Sequence, residues 1–321
     1  MFFKNFMKWL ILLTIMISFS TNSWFIFWLM MEMNLLFFVP IMNTKNKIDS
    51  NLMITYFIVQ CFSSTLFFMG AMNFIILNMC IFKYIINISM MIKLALIPFH
   101  FWLSSISEMI EFQTLFFILT LQKIVPMIVI SHFKMSILVF FISISSIIAS
   151  LLALNSKSFK KILIFSSISH QSWVISMILM ESNFWISYMI IYSFLILKIT
   201  NLCLKLKFNF MSNFYFKNKS LPSKVSVIFL MLSLGGMPPF MGFFMKLISI
   251  TILIQTMNLL LIILIISSIM NIFIYMQMIT PILFNNFFSI KNNFNKSMFF
   301  KNLFTNLNLI LSIFLLNMMI S

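Results

Sequence analysis

The chain has 321 residues, 62% hydrophobic and 8% charged, with a mean hydropathy of +1.10. A water-soluble domain needs far more surface charge than this, so the composition excludes one and describes a single polytopic membrane domain spanning 1–321. The net charge of +16 comes from 21 lysines and no arginine. Such an excess can serve nucleic acid or an anionic surface, but the placement of the lysines favours loops that set topology, with the lipid bilayer and not nucleic acid as partner.

Hydrophobic runs predict helices at 6–22, 24–42, 52–71, 84–103, 112–131, 136–154, 162–180, 184–204, 225–250, 254–280 and 303–320, eleven crossings in all. Lys4 and Lys8 ahead of the first run resemble the start of a signal peptide, but the following chain favours a first spanning helix. On this count fifteen lysines fall on the side of the N-terminus and two, Lys83 and Lys134, on the other. That asymmetry is a positive-inside pattern, and a miscounted helix would scramble it. Four lysines, Lys93, Lys123, Lys198 and Lys246, fall within spans. Lys198 is near enough to the basic side to snorkel.

The other three are costlier. A lysine at the centre of a spanning helix costs roughly 2.5–3.5 kcal/mol on insertion scales. In Met91–Trp102, MIKLALIPFHFW, Pro98 has no N–H for the carbonyl of Leu94, one residue from Lys93. In LQKIVP, Pro126 stands in the same relation to Gln122, beside Lys123. In SLGGMPPFMGFFMK, Pro238 and Pro239 free the carbonyls of Leu234 and Gly235 ahead of Lys246. Three helix breaks beside three buried lysines suggest an ion path. At Lys93 the lysine precedes the break and at Lys246 it follows, the reversed order that an inverted-topology repeat produces.

Glu32 is the one carboxylate inside a predicted span, in WLMMEMNLLFF. It either snorkels to water or lies beside a lysine of another helix, where pairing offsets desolvation. Burial and like charge disfavour an ammonium and a carboxylate supports it, so a lysine held between these influences can exchange a proton at moderate cost. His100 follows the first break, and His170 lies in the polar patch FSSISHQ. Each could extend a proton path or simply bond a backbone carbonyl.

Cys61, Cys80 and Cys203 are scattered, without the run of ligands an iron–sulfur cluster needs. Three of the four glycines lie between 235 and 242, which leaves no glycine-rich nucleotide loop. Facing histidine pairs for a haem are also missing. High Phe and Met usage, 43 and 31 residues, fits an A/T-rich organellar genome in which ATA encodes methionine.

The motifs IKLALIPFHFW, LQKIVPM, FKKILIFSSISHQSW and GGMPPFMGFFMK, in this order and preceded by WLMMEMNLLFFVPIM, resemble the antiporter-like subunits of mitochondrial NADH:ubiquinone oxidoreductase, respiratory complex I. Ser104-Ser105 departs from the family's Pro-Glu, and Leu121 from its usual tryptophan. The resemblance implies an all-α protein of two inverted five-helix repeats, at 6–131 and 136–280, with broken helices and a final helix at 303–320. It implies proton translocation through Glu32 paired with Lys93, then Lys123 and Lys246, with His100 and His170 as relays. The expected partners are other membrane-arm subunits, which would hold the NADH, flavin, iron–sulfur and ubiquinone sites; this chain would hold no cofactor. The expected location is the mitochondrial inner membrane, with the N-terminus on the lysine-rich matrix side. A free-standing cation/proton antiporter of the related family is the alternative, although such proteins commonly have more helices than this length allows.

Overall fold

The computed structural model describes residues 2–43, 48–206, 221–238, 240–255 and 257–289. The predicted helix at 303–320, Pro239 and several loop lysines, Lys45 and Lys217 among them, lie outside the described residues. The rest is an all-helical membrane fold. Eight apolar runs are long enough to cross a bilayer, and shorter apolar helices accompany them. In chain order the helices are α1 (Phe2–Ser20), α2 (Trp24–Met42), α3 (Ile48–Leu77), α4 (Cys80–Leu94), α5 (Phe101–Ile106), α6 (Phe112–Leu119), α7 (Leu121–His132), α8 (Ile137–Asn155), α9 (Phe159–Leu179), α10 (Phe184–Leu206), α11 (Leu221–Gly235), α12 (Met241–Ile254) and α13 (Asn258–Ser289).

Three predicted spans are each divided into two helices: 84–103 into α4 and α5, 112–131 into α6 and α7, and 225–250 into α11 and α12. The first and third breaks share one local solution. After α4, Ala95 takes a left-handed conformation (φ 57°), its N–H donates to Ile92 O, and the N–H of Leu96 donates to Met91 O. After α11, Gly236 (φ 81°) donates to Ser233 O, and Met237 donates to Leu232 O. This is a Schellman-type cap, and it satisfies the two carbonyls that lie a turn inside each end. The final carbonyls, those of Leu94 and Gly235, still need donors, because the bilayer supplies none.

Both find one inside the protein. Lys246 Nζ donates to Gly235 O at 2.6 Å. With the Gln171 amide oriented to suit its neighbours, its nitrogen donates to Leu94 O at 3.1 Å, and its oxygen accepts from Lys123 Nζ at 2.7 Å. The breaks at Pro98 and Pro238 therefore lie where the sequence places them.

Pro126 does not break its helix where expected. It sits inside α7, and the interruption falls a turn and a half earlier, at Thr120 (φ −122°, ψ −81°). A proline ring presses on the turn that precedes it, so the distortion is taken up upstream. Lys123 accordingly lies just after a break, in the first turn of α7. Pro40 is likewise carried inside α2, which runs on to Met42.

The packing centre is α9, which contacts α5, α6, α7, α8, α10, α12 and α13 and is buried along nearly its whole length. A helix enclosed on every side has no need of one apolar face. Its serines bond their own helix: Ser166 to Leu163 O at 3.0 Å, Ser167 to Ile164 O at 2.6 Å and Ser176 to Trp173 O at 2.7 Å. By contrast α1 turns Phe2, Trp9, Leu13 and Met16 outward, as an apolar surrounding permits. At the helix ends, Lys134 and Glu181 form an ion pair at 2.6 Å between the α7–α8 and α9–α10 loops. The Lys134 ammonium holds the Glu181 carboxyl below its ordinary value.

Two substitutions test these breaks. A Cβ on Gly242 would lie 1.6 Å from Ser233 O, a backbone atom that cannot step aside. Gly242→Ala should force α12 off α11 at a cost above the usual ~1–3 kcal/mol of overpacking, read as loss of the folded protein from membranes. Gln171→Leu leaves the Leu94 carbonyl without a donor and takes an acceptor from Lys123. Its expected cost is about 1–3 kcal/mol, measured as a lower thermal midpoint of the protein in detergent.

Candidate functional site

The lysines singled out in the sequence are all enclosed. Lys93 is 8% exposed, Lys123 3% and Lys246 7%. None of them is in an ion pair: among the described residues the ion pairs are Lys134–Glu181 and Lys161–Glu108, both at helix ends. Hydrogen bonds and shared cavities organise the buried groups instead.

Lys93, in the last turn of α4, and Lys123, in the first turn of α7, line the same small cavity with Tyr56, Gln60, Trp102 and Gln122. Its volume of about 10 Å³ is close to the room one water needs. Gln122 is tied down on both sides of its amide: Tyr56 Oη donates to its oxygen at 3.3 Å, and its nitrogen donates to Asn34 Oδ1 at 3.0 Å. Trp102 Nε1 donates to Ile92 O at 3.1 Å, so the short helix α5 is bonded back onto the end of α4. The cavity is therefore walled by α3, α4, α5, α6 and α7, with Gln122 held in place from α2.

From this cavity the polar groups continue into α9. Lys123 Nζ donates to Ser167 Oγ at 3.0 Å and faces the Gln171 amide oxygen. One turn on, His170 is 3% exposed, with Nδ1 2.8 Å from the hydroxyl of Tyr188 on α10. Lys246 enters from α12, and its methylenes lie over Gly236, where a Cβ would meet Lys246 Cδ at 2.9 Å. Both Lys123 and Lys246 act electrostatically on His170. The order along the interior is Lys93, Lys123, His170, Lys246.

Glu32 and His100 stand at the side of this series. Glu32 lies mid-way along α2, half-buried, and accepts a hydrogen bond from Ser64 Oγ of α3. It makes no contact ion pair with Lys93, although the two act on each other electrostatically, with Cys61 within reach of both. His100, at the start of α5, is 7% exposed and packs against the tilted rings of Phe101 and Phe165, with ring centroids 4.3 and 6.3 Å away. Among the described residues no hydrogen bond or ion pair joins it to a lysine.

Several supporting groups escaped the sequence reading: Ser64, Asn34, Tyr56, Tyr188 and Asn271, and the sequence marks Gln122 for its carbonyl and not for its side chain. Amides inside a spanning run, such as Asn34 and Asn271, are a usable signal, because hydrocarbon leaves them unpaired unless another helix answers. The tyrosines carry no such signal, since a membrane tyrosine also suits the interface. Among the described residues no three of His, Cys, Asp and Glu gather as metal ligands. Cys61, Cys80 and Cys203 are free thiols on α3, α4 and α10.

Residues 21–273 match the family described as "NADH:quinone oxidoreductase/Mrp antiporter, TM". The chain is 45% identical over 312 residues to NADH-ubiquinone oxidoreductase chain 2 of Rhipicephalus sanguineus, covering 97% of this chain and 99% of that one. It is 32% identical over 305 residues to the protein of the same name from Anopheles gambiae, covering 88% of each. A chain of respiratory complex I from Thermus thermophilus with bound aureothin has a similar fold, with a TM-score of 0.78 at 18% identity over 88% of this chain and 71% of that one. A chain of the Mrp complex from Dietzia sp. DQ12-45-1b gives 0.74 at 16% identity, over 85% and 59%. With the family match running through the broken helices, the buried lysines and the polar core of α9, this chain belongs to the NADH:quinone oxidoreductase/Mrp antiporter transmembrane family.

Proposed function

We propose that the chain is a proton-translocating membrane-arm subunit of mitochondrial NADH:ubiquinone oxidoreductase. The observation that carries this reading is the line of buried cations. Lys93 and Lys123 line one cavity, Lys123 bonds into α9, and Lys246 closes the line at the second Schellman-capped break. A purely structural core gains nothing from three ammonium groups, each costing roughly 2.5–3.5 kcal/mol in a bilayer. Groups that exchange protons need to be titratable, shielded from bulk water and within reach of one another, directly or through one water. The relatives' names support the same assignment.

In this reading Glu32 receives or releases a proton at the side of the path, and its charge biases Lys93. Protons then pass to Lys123, through the His170 region, and on to Lys246. His100 is an additional relay beside the first break. NADH, flavin, iron–sulfur clusters and ubiquinone belong to neighbouring subunits, whose conformational or electrostatic changes drive the transfer. The lysine-rich side faces the matrix of the inner membrane, and the N-terminus lies there.

The test uses the assembled enzyme in native membrane vesicles. Lys93→Met and Glu32→Gln should each lower NADH-driven proton uptake and coupled turnover several-fold while assembly, followed on native gels, is retained. Wild-type pumping in both variants would overturn the assignment. Purification of the wild-type chain from native membranes decides against the free-standing antiporter if it travels with NADH-oxidising subunits, and for it if the chain migrates alone and exchanges cations in liposomes.

A further inference from the structure

Between Lys123 and Lys246 the interior holds a group of polar atoms that packing does not explain. His170 Nε2, Tyr192 Oη, Tyr275 Oη and Asn271 Oδ1 are all buried without a protein hydrogen-bond partner. They belong to three helices, α9, α10 and α13. Asn271 Nδ2 is anchored to Ser169 Oγ at 2.7 Å, which fixes the amide beside α9. The His170 and Tyr192 rings have centroids 5.1 Å apart. The Tyr192 and Tyr275 hydroxyls lie beside Ser167 and Ser166, and Tyr275 lies close to both Tyr188 and Tyr192. Ser167 is the serine that Lys123 holds.

We propose that Tyr188, Tyr192 and Tyr275, with Asn271, form a hydroxyl cage around His170 that passes protons between Lys123 and Lys246. The proposal rests on the proton-translocating reading above and adds the groups that bridge its two inner lysines. A buried hydroxyl with no partner is costly, and phenylalanine would fill the same space without that cost. Unpaired atoms gathered at one place mark a site for exchangeable partners, whether water or each other. A tyrosine hydroxyl can accept a proton on its oxygen while releasing its own, so it ends in the state in which it began. His170 can take a proton on one ring nitrogen and release one from the other. Tyr188, bonded to Nδ1, sets which nitrogen is free to do so and is a positioning residue.

The test is Tyr192→Phe with Tyr275→Phe in the assembled enzyme, which keeps both rings and removes only the hydroxyls. NADH-driven proton uptake into vesicles should fall several-fold per NADH oxidised, and the solvent deuterium isotope effect on pumping should change. Assembly should be unaffected or improved, because two unpaired buried hydroxyls have gone. Tyr188→Phe should shift the pH profile of pumping, which loss of packing alone would not do. Lys123→Met separates the two readings. If it blocks pumping while the double phenylalanine variant pumps at the wild-type ratio, the cage is refuted and the translocation reading stands. If Lys123→Met pumps normally, both fail. Should the double variant not assemble, the single variants decide, and wild-type pumping in both overturns the cage.

Discussion

Every carbonyl released by a helix break inside this protein has to be answered by another part of the protein, because hydrocarbon offers no donor. The carbonyls of Leu94 and Gly235 are equivalent points on two Schellman-capped helix ends, and they are answered differently. One takes the neutral amide of Gln171, and the other takes the ammonium of Lys246. The two breaks are therefore chemically distinct although their backbones solve the same problem. Lys246 is bound directly to a helix end, whereas Lys123 meets the first break only through Gln171.

That difference depends on α9. As the helix enclosed by most of the others, it reaches both breaks and both inner lysines from one rigid element. Its serine hydroxyls bond back to their own carbonyls, which leaves lone pairs free to accept from Lys123 and Asn271. A helix made only of Leu and Ile would pack as well and would leave the lysines unsolvated. The glycines of the second break serve the same arrangement, since Gly242 lets α12 approach the backbone of α11 and Gly236 makes room for the Lys246 side chain.

Glu32 belongs to a looser environment. It is half-buried, on a helix pair whose outer face carries Phe25, Leu36, Phe57 and Phe62, and its hydrogen-bond partner is a serine and not a lysine. The series from Lys93 to Lys246 is enclosed by this chain alone, whereas Glu32 stands near its lateral surface.

Much of this was legible in the residues. The membrane class and the approximate places of the spanning runs followed from hydropathy, which depends on the local run of side chains and on little else, although α3 and α13 extend well past their predicted ends. The breaks at Pro98 and Pro238 followed from the missing N–H, a covalent property of proline. The sequence could also mark Lys93, Lys123 and Lys246 as costly, since their burial is implied by the runs that contain them. It could not place the interruption beside Pro126, because where a helix yields depends on what packs against the turn before the proline. Nor could it say which donor caps which carbonyl, that Glu32 meets Ser64 before any lysine, or that His170 meets Tyr188 and Tyr192. Those contacts join different helices, some consecutive in the chain and some distant, and hydrogen bonds between helices are decided only when tertiary packing brings their faces together.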